Sequence, residues 1–177
     1  MSKSLGNQYT IPDLLEKGYE ARAIRYLLMA THYRRQLNFT FSGLEAAASS
    51  LRRLDEFILR MQEGPWPEGS SEKGAAAVAT CREEFIEAMD DDLNISPALA
   101  AVYNMVKTLN TMADEERLKA DDSAAALALL KELDDVIGIM KFEEESLDDD
   151  EIMRLIDART EARAQRNFAE ADRIRDE

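Results

Sequence analysis

The sequence predicts an all-α protein, and three observations predict it. Hydrophobic residues make up 45% of the 177 residues and are dominated by Ala and Leu. These favour helices, whereas strands select β-branched and aromatic side chains. The apolar residues recur at three- and four-residue spacing, the period of an amphipathic helix, and no stretch shows the alternation of a strand. Helix-start signals stand before several of those stripes, while only four prolines and seven glycines interrupt the chain, mostly in clusters.

Thr10, with Pro12 and Asp13, forms a capping box that opens the first helix, and Gly18 stops it. A second helix follows from about Glu20 to Thr31, with Ile24, Leu27, Leu28 and Thr31 on one face. Residues 32–39 form a polar-aromatic connection. Ser42 with Glu45 reads as the next capping box, ahead of a stripe of Leu44, Ala48, Leu51, Leu54 and Ile58. Gly64 to Gly74 is a loop by composition, and Trp66 within it reads as a loosely packed residue. The helical period returns with Val78, Cys81, Phe85 and Met89 and ends at Asp90-Asp91-Asp92-Leu93-Asn94. Three adjacent acids invite Mg²⁺, but a solvated turn that caps the following segment suits them better. Ser96-Pro97 reads as N-cap and first helical position, before Leu99, Val102, Tyr103, Val106 and Asn110. Ser123 reads as the start of a further helix with Ala126, Leu130, Leu133, Ile137 and Met140 in register.

These stripes make a bundle of roughly five helices, antiparallel where connections are short. Residues 141–150 form an acidic connection suited to a hinge. A helix over 151–166 and a capping pattern at Asn167 and Glu170 then predict a helix-turn-helix segment. On the helical wheel Arg159, Arg163 and Arg166 continue an apolar stripe of Ile152, Leu155 and Ile156. The last residues carry no helix-stop signal, so the natural protein is expected to continue.

The net charge is −14. Residues 1–60 nevertheless hold nine Lys/Arg against six Asp/Glu, so the acid lies downstream. Such a chain is unsuited to non-specific nucleic-acid binding over its whole surface, but a local basic face remains open to RNA. Arg22, Arg25, Arg34 and Arg35 lie in that net-positive part, with Tyr33 beside them as a stacking group. Each serves equally well as a surface charge or an ion-pair partner of the abundant acids. Cys81 is the only cysteine and sits on an apolar stripe, which predicts a buried thiol in a reducing compartment. One Cys and one His cannot supply a typical structural zinc site, so no metal site is expected in this chain. No apolar run is long enough for a membrane span, and no signal peptide is visible.

The first residues, Met1-Ser2-Lys3-Ser4-Leu5-Gly6-Asn7, hold two hydroxyls and an ammonium in a short polar run ending in Gly-Asn. Such a run can lie against a polyphosphate, although at a chain end it is as readily a flexible tail. It resembles the Lys-Met-Ser-Lys-Ser signature of class I aminoacyl-tRNA synthetases without the first Lys. Further stretches narrow the resemblance: Arg25-Tyr26-Leu27, His32-Tyr33-Arg34 with Leu37-Asn38, Phe85 to Asn94, and Ala169 to Asp176. In that order and spacing, over nearly all of the chain, they resemble the cysteinyl-tRNA synthetase family.

The resemblance implies an organisation and a chemistry. Residues 1–18 would be the ATP-loop remnant and the connection to an absent catalytic domain. Residues 19–142 would be a tRNA-docking bundle of the DALR anticodon-binding type, and 143–177 the start of a truncated anticodon-recognition domain. Lys3 would be the catalytic residue, and Ser2, Lys3 and Ser4 the ATP-binding set. Arg22, Arg25, Tyr33, Arg34, Arg35, Arg159, Arg163 and Arg166 would be candidate tRNA contacts. The complete enzyme would use ATP and cysteine, charge tRNA(Cys) in the cytoplasm, and hold zinc through ligands that this chain lacks. The His-Ile-Gly-His type of nucleotide signature is also missing, so the chain alone is expected to be inactive and its first seven residues displaced. Two other readings stand beside this one. One is a structural helical bundle that binds a protein partner. The other is a fragment of the related mycothiol cysteine ligase, against which the arginine-rich end argues, since a small-molecule ligase has no anticodon to read.

Overall fold

The computed structural model describes residues 9–142 without a break, and then residues 156–160, 162–163, 167 and 172–173. The chain divides into two compact units, Met1–Phe142 and Glu143–Glu177. Among the described residues every regular element is helical.

In the first unit the elements are α1 (Ile11–Glu16), α2 (Ala21–Met29), α3 (Phe41–Glu63), α4 (Glu72–Asp90), α5 (Ile95–Asp114) and α6 (Ala120–Ile137). Thr10 closes the expected capping box on α1: its hydroxyl accepts from the Asp13 N–H while the Asp13 carboxylate accepts from the Thr10 N–H. Gly18 follows in a left-handed conformation (φ 86°) that favours glycine.

Four helices form the bundle, and their order around it is not their order in sequence. Helix α4 packs against both α5 and α6, and α3 against both α6 and α5. The consecutive helices α3 and α4 therefore sit diagonally, as do α5 and α6. End-to-end contacts fix the directions. Arg60, near the C-terminus of α3, reaches Asn110 and Asp114 near the C-terminus of α5, while Tyr103 bonds to Ser50 a few turns earlier, so these two helices run parallel. Ser71 at the start of α4 meets Asp122 at the start of α6, so that pair is parallel too. The expected antiparallel packing across short connections thus holds for α4 with α5 and is replaced by parallel neighbours on two sides of the ring.

The core is the meeting of the predicted stripes. Leu44, Leu51, Leu54 and Ile58 of α3, Cys81 and Phe85 of α4, Leu99, Val102 and Val106 of α5, and Ala126, Leu130, Leu133 and Ile137 of α6 are all buried. Helix α5 buries a second face through Ala98, Met105, Leu109 and Met112, because it touches α3 as well as α4. Ile24 is buried as expected, but Leu28, expected on the same face of α2, is 49% exposed, and Ala23 is buried in its place.

Three helix starts differ from expectation, each for a stated reason. Helix α3 is capped by Thr40, whose hydroxyl accepts from the Gly43 N–H at 3.0 Å, so Ser42 lies inside the helix. Helix α5 is preceded by Asn94, because the Ser96 hydroxyl is turned away to donate to the Ala30 carbonyl at the end of α2. Helix α6 starts at Ala120; Ser123 is buried and donates to the Met61 carbonyl at 2.7 Å.

The Gly64–Gly74 loop is shorter than its composition predicts, since Ser71 caps α4 by accepting from the Gly74 N–H. It is also pinned. Trp66 donates its indole N–H to the Met61 carbonyl, and its ring covers Gly64 so closely that an added Cβ would lie within 3 Å. Pro67 and Gly69 accept from the Ala120 and Asp121 N–H groups. Trp66 is therefore an anchor rather than a loosely packed residue. It also satisfies a carbonyl in the last turn of α3 that the helix leaves without an internal partner.

Cys81 is buried as expected, and burial, with the Glu84 carboxylate adding to it, pushes its thiol up to about 11. A raised thiol stabilises the fold at and below the ordinary thiol range, and that contribution fades as pH rises through about 11. Cys81 is accordingly expected to resist thiol reagents at pH 8 until the bundle unfolds, so labelling should follow the unfolding curve in denaturant. Rapid labelling of the native chain would contradict this burial.

In the second unit residues 156–160 are helical and exposed, as are the helical residues Arg163, Asp172 and Arg173. Ala162 is buried. These fall within the expected helix-turn-helix segment. The acidic connection 143–150 lies outside the described residues.

Candidate functional site

The candidate contacts of the first unit fall into two groups. Arg22 and Arg25 project from α2 toward the end of α6. Arg22 makes a two-pronged bond to Asp55 of α3 (2.7 and 3.0 Å) and also reaches the Ile139 carbonyl and Glu20. This pairing holds the guanidinium above its ordinary value, chiefly through the hydrogen bond to Asp55. Arg25 donates from Nε to the Ile137 carbonyl at 2.7 Å, where α6 ends in the left-handed Gly138. Both side chains thus serve helix-end packing, a use that their positions on a helical wheel do not disclose.

The second group stands at one end of the bundle, where the α2–α3 connection meets the α4–α5 turn. Asp92 is its centre. Asp92 and Leu93 both adopt positive φ (57° and 55°), which turns the chain sharply between two long helices. The Asp92 carboxylate accepts from the Tyr33 hydroxyl at 2.6 Å, pairs with Arg34 at 3.1 Å, and lies 3.7 Å from His32 Nε2. Tyr33 stacks on His32 with ring centres 4.8 Å apart, and Arg34 lies over the Tyr33 ring while its Nε donates to the Tyr33 hydroxyl. Donation to Asp92 is the main reason that the Tyr33 hydroxyl is pushed above its ordinary value.

This corner is ordered yet open. Tyr33 is 60% exposed, and the guanidinium of Arg35 has no partner among the described residues. Beside it lies a pocket of about 620 Å³ lined by Thr31, His32, Arg34, Arg35, Asn94 and Ser96. Three of the sequence candidates, Tyr33, Arg34 and Arg35, are therefore brought together here. Asp92 is what sequence reading missed: it appeared only as one of three acids in a turn. Its signal was the order Asp-Asp-Leu-Asn between two long stripes, which requires a tight turn without identifying the partners across it.

Other candidates cannot be placed in the same way. Ser2, Lys3, Ser4 and Arg166 lie outside the described residues. Arg159 and Arg163 are exposed on the helical part of the second unit. Among the described residues no three His, Cys, Asp or Glu side chains are grouped to hold a metal ion, and no helix is long and apolar enough to cross a membrane.

Comparison with known proteins bears on both ends of the first unit. Residues 84–142 match the DALR domain, and residues 1–49 match the catalytic domain of class I (C) tRNA synthetases. The whole chain is 39% identical to a cysteine--tRNA ligase of Chlamydia muridarum, covering 39% of that protein. It is 42% identical to one of Solibacter usitatus, covering 38%. A third, from Protochlamydia amoebophila, is 39% identical over 99% of the chain and 37% of the relative. The chain thus spans about two-fifths of the length of the curated relatives it matches. From Met1-Ser2-Lys3-Ser4 onward, and along its whole length, the chain is similar to the cysteine--tRNA ligases, and its first 49 residues to the catalytic domain of class I tRNA synthetases.

Proposed function

We propose that the chain is the tRNA-docking and anticodon-side portion of a cytoplasmic cysteine--tRNA ligase, which joins cysteine to tRNA(Cys) at the expense of ATP. In this reading residues 1–18 carry the ATP loop and lead from the catalytic domain. Residues 19–142 dock the tRNA, and 143–177 begin the domain set against the anticodon. The observation that carries it is the corner around Asp92. In a chain of net charge −14 it presents two arginines and an exposed tyrosine beside an open pocket. Arginine forks to phosphate and an aromatic ring accepts a stacked base, so this set suits an RNA backbone with a splayed nucleotide. The Asp92 carboxylate holds Tyr33 and Arg34 in place before RNA arrives, which lowers the ordering cost of binding. Arg22 and Arg25 stand apart from this corner as further candidate contacts, with guanidiniums already bonded within the protein.

The adenylation chemistry belongs to the complete enzyme. There the cysteine carboxylate attacks the α-phosphate of ATP and pyrophosphate leaves. Lys3 offsets the negative charge that builds on phosphate oxygens, while Ser2 and Ser4 hold the loop. The described residues do not fit zinc: Cys81 is buried in the core and His32 is stacked on Tyr33 beside Asp92. Zinc, which the resemblance places in the complete enzyme, would need ligands from elsewhere.

The test is tRNA binding by the 177-residue chain across a salt series. Binding should weaken steeply with salt, and charge reversal at Arg34 and Arg35 should flatten the slope by roughly one unit per lost contact. No salt-sensitive binding, with stable capture of a protein partner instead, would favour the structural-bundle reading. In the complete ligase, Arg159, Arg163 and Arg166 changed together to Glu should raise the apparent KM for tRNA and leave ATP–pyrophosphate exchange unchanged. Normal charging with a lowered thermal midpoint would make that stripe structural.

A further inference from the structure

A second basic surface lies where sequence reading marked no candidate. The parallel helices α3 and α5, with Tyr26 of α2 at the edge, enclose an open groove of about 810 Å³. Arg53 and Arg60 enter it from α3 and Lys107 from α5. Arg53 and Arg60 are seven residues apart, so their Cα atoms stand about 10 Å apart along the axis. The acids of the groove are Glu56 and Asp114. Asp114 is taken up by Arg60 at 2.7 Å, and Asn110 accepts from the same guanidinium at 3.0 Å. The Arg53 guanidinium bonds only to the Ser50 hydroxyl at 3.3 Å, and the Lys107 ammonium has no partner among the described residues. Two exposed cations therefore face one unpaired carboxylate, in a chain with fourteen more negative than positive charges.

The remaining lining mixes apolar side chains, Phe57 and Val106, with polar and tyrosine groups. Asn104 offers a free amide, and Tyr103 bonds to the Ser50 carbonyl at the base of the groove. We propose that this groove is a second contact track for the sugar–phosphate backbone of RNA, with Arg53 and Lys107 on phosphates and the Asn104 amide on phosphate or ribose hydroxyl. The inference rests on the RNA reading above but concerns different residues. Arg53 and Lys107 at one level of the groove, with Arg60 about 10 Å further along it, match successive phosphates of a backbone better than a single small anion, and the side-chain amide suits the hydroxyls that distinguish RNA. Arg60 is the positioning residue: held by Asn110 and Asp114, it ties the two walls together.

The experiment uses the 177-residue chain and tRNA, with binding measured by fluorescence anisotropy from about 50 to 200 mM salt. Three proteins are compared: the unaltered chain, R53E/K107E, and the charge-conserving R53K/K107R. The reversal should weaken binding about ten- to a hundredfold at the higher salt and flatten the log–log slope by about two. R53K/K107R should retain the slope, and both variants should melt with the unaltered chain because these side chains are exposed. If the unaltered chain binds and the reversal binds equally with the same slope, the groove proposal is overturned while the corner around Asp92 keeps its role. If the unaltered chain binds no tRNA, both readings fall together. If the reversal abolishes binding of poly-glutamate while tRNA binding is unmoved, the groove belongs to an acidic protein segment and the RNA proposal is wrong.

Discussion

Replacing Lys3 by Ala in the complete ligase is expected to slow cysteinyl-adenylate formation by about a hundredfold or more, with cysteine binding little changed. The reason is differential. An ammonium aimed at the α-phosphate region meets modest charge in the ground state and more as the pentavalent arrangement forms, so its loss falls on the transition state. Removing one such partner in a water-excluded site costs about 2.7–4 kcal/mol, which is the rate factor expected. ATP–pyrophosphate exchange, dependent on cysteine, measures it. Ser4→Ala is expected to do less, because in the proposed assignment its hydroxyl holds the loop and stabilises no new charge. An unchanged exchange rate in Lys3→Ala would remove Lys3 from the reaction. The 177-residue chain without the rest of the enzyme is expected to give no exchange, and cysteine-dependent exchange by it would overturn the proposed division of labour.

Asp122→Ala is expected to be the most damaging single change within the bundle. Asp122 is 2% exposed, and its carboxylate accepts from the Ser71 N–H (3.0 Å), the Ser71 hydroxyl (2.7 Å) and the Lys119 N–H (3.2 Å). It thereby joins the starts of α4 and α6, the parallel pair. Alanine would leave those partly buried donors without their acceptor, at a cost of about 3 kcal/mol. For a chain of this size that lowers the thermal midpoint by about 6–12 °C. Gly74→Ala tests the same joint from the other side. Elsewhere in a helix this change would stabilise by about 1 kcal/mol. Here the new Cβ would lie within 3 Å of the Asp122 carboxyl group, which three hydrogen bonds prevent from moving aside. Crowding of this kind costs about 1–3 kcal/mol, so the net effect should be destabilising. In an Asp122→Ala background the crowding disappears, and Gly74→Ala should become neutral or favourable. Additive effects of the two substitutions would refute the joint.

Among the described residues, sequence alone determined which segments are helical and, for α3 to α6, a face that each buries. Helix formation and amphipathic burial are set by residues three and four apart, and that spacing can be read directly. It is why the stripes through Leu51, Phe85, Val102 and Leu130 all reached the core. The Thr10 cap was legible because both of its partners lie within three residues. The family was legible too, because its motifs recur in order along the chain.

The tertiary structure decided what local spacing cannot carry. Ser96 and Ser123 have the chemistry of caps, but each found a carbonyl on a distant helix, Ala30 and Met61, and the helix starts moved accordingly. Trp66 became an anchor because the end of α3 left a carbonyl within its reach. Arg22 and Arg25 met the end of α6 and Asp55, while Arg34 and Tyr33 met Asp92. No periodicity encodes the order of helices around a ring, since every stripe can pack against every other. That order is set by how loop lengths and helix ends fit together in three dimensions. It alone placed α3 beside α5 in parallel, and so brought Arg53, Arg60 and Lys107 to a single groove.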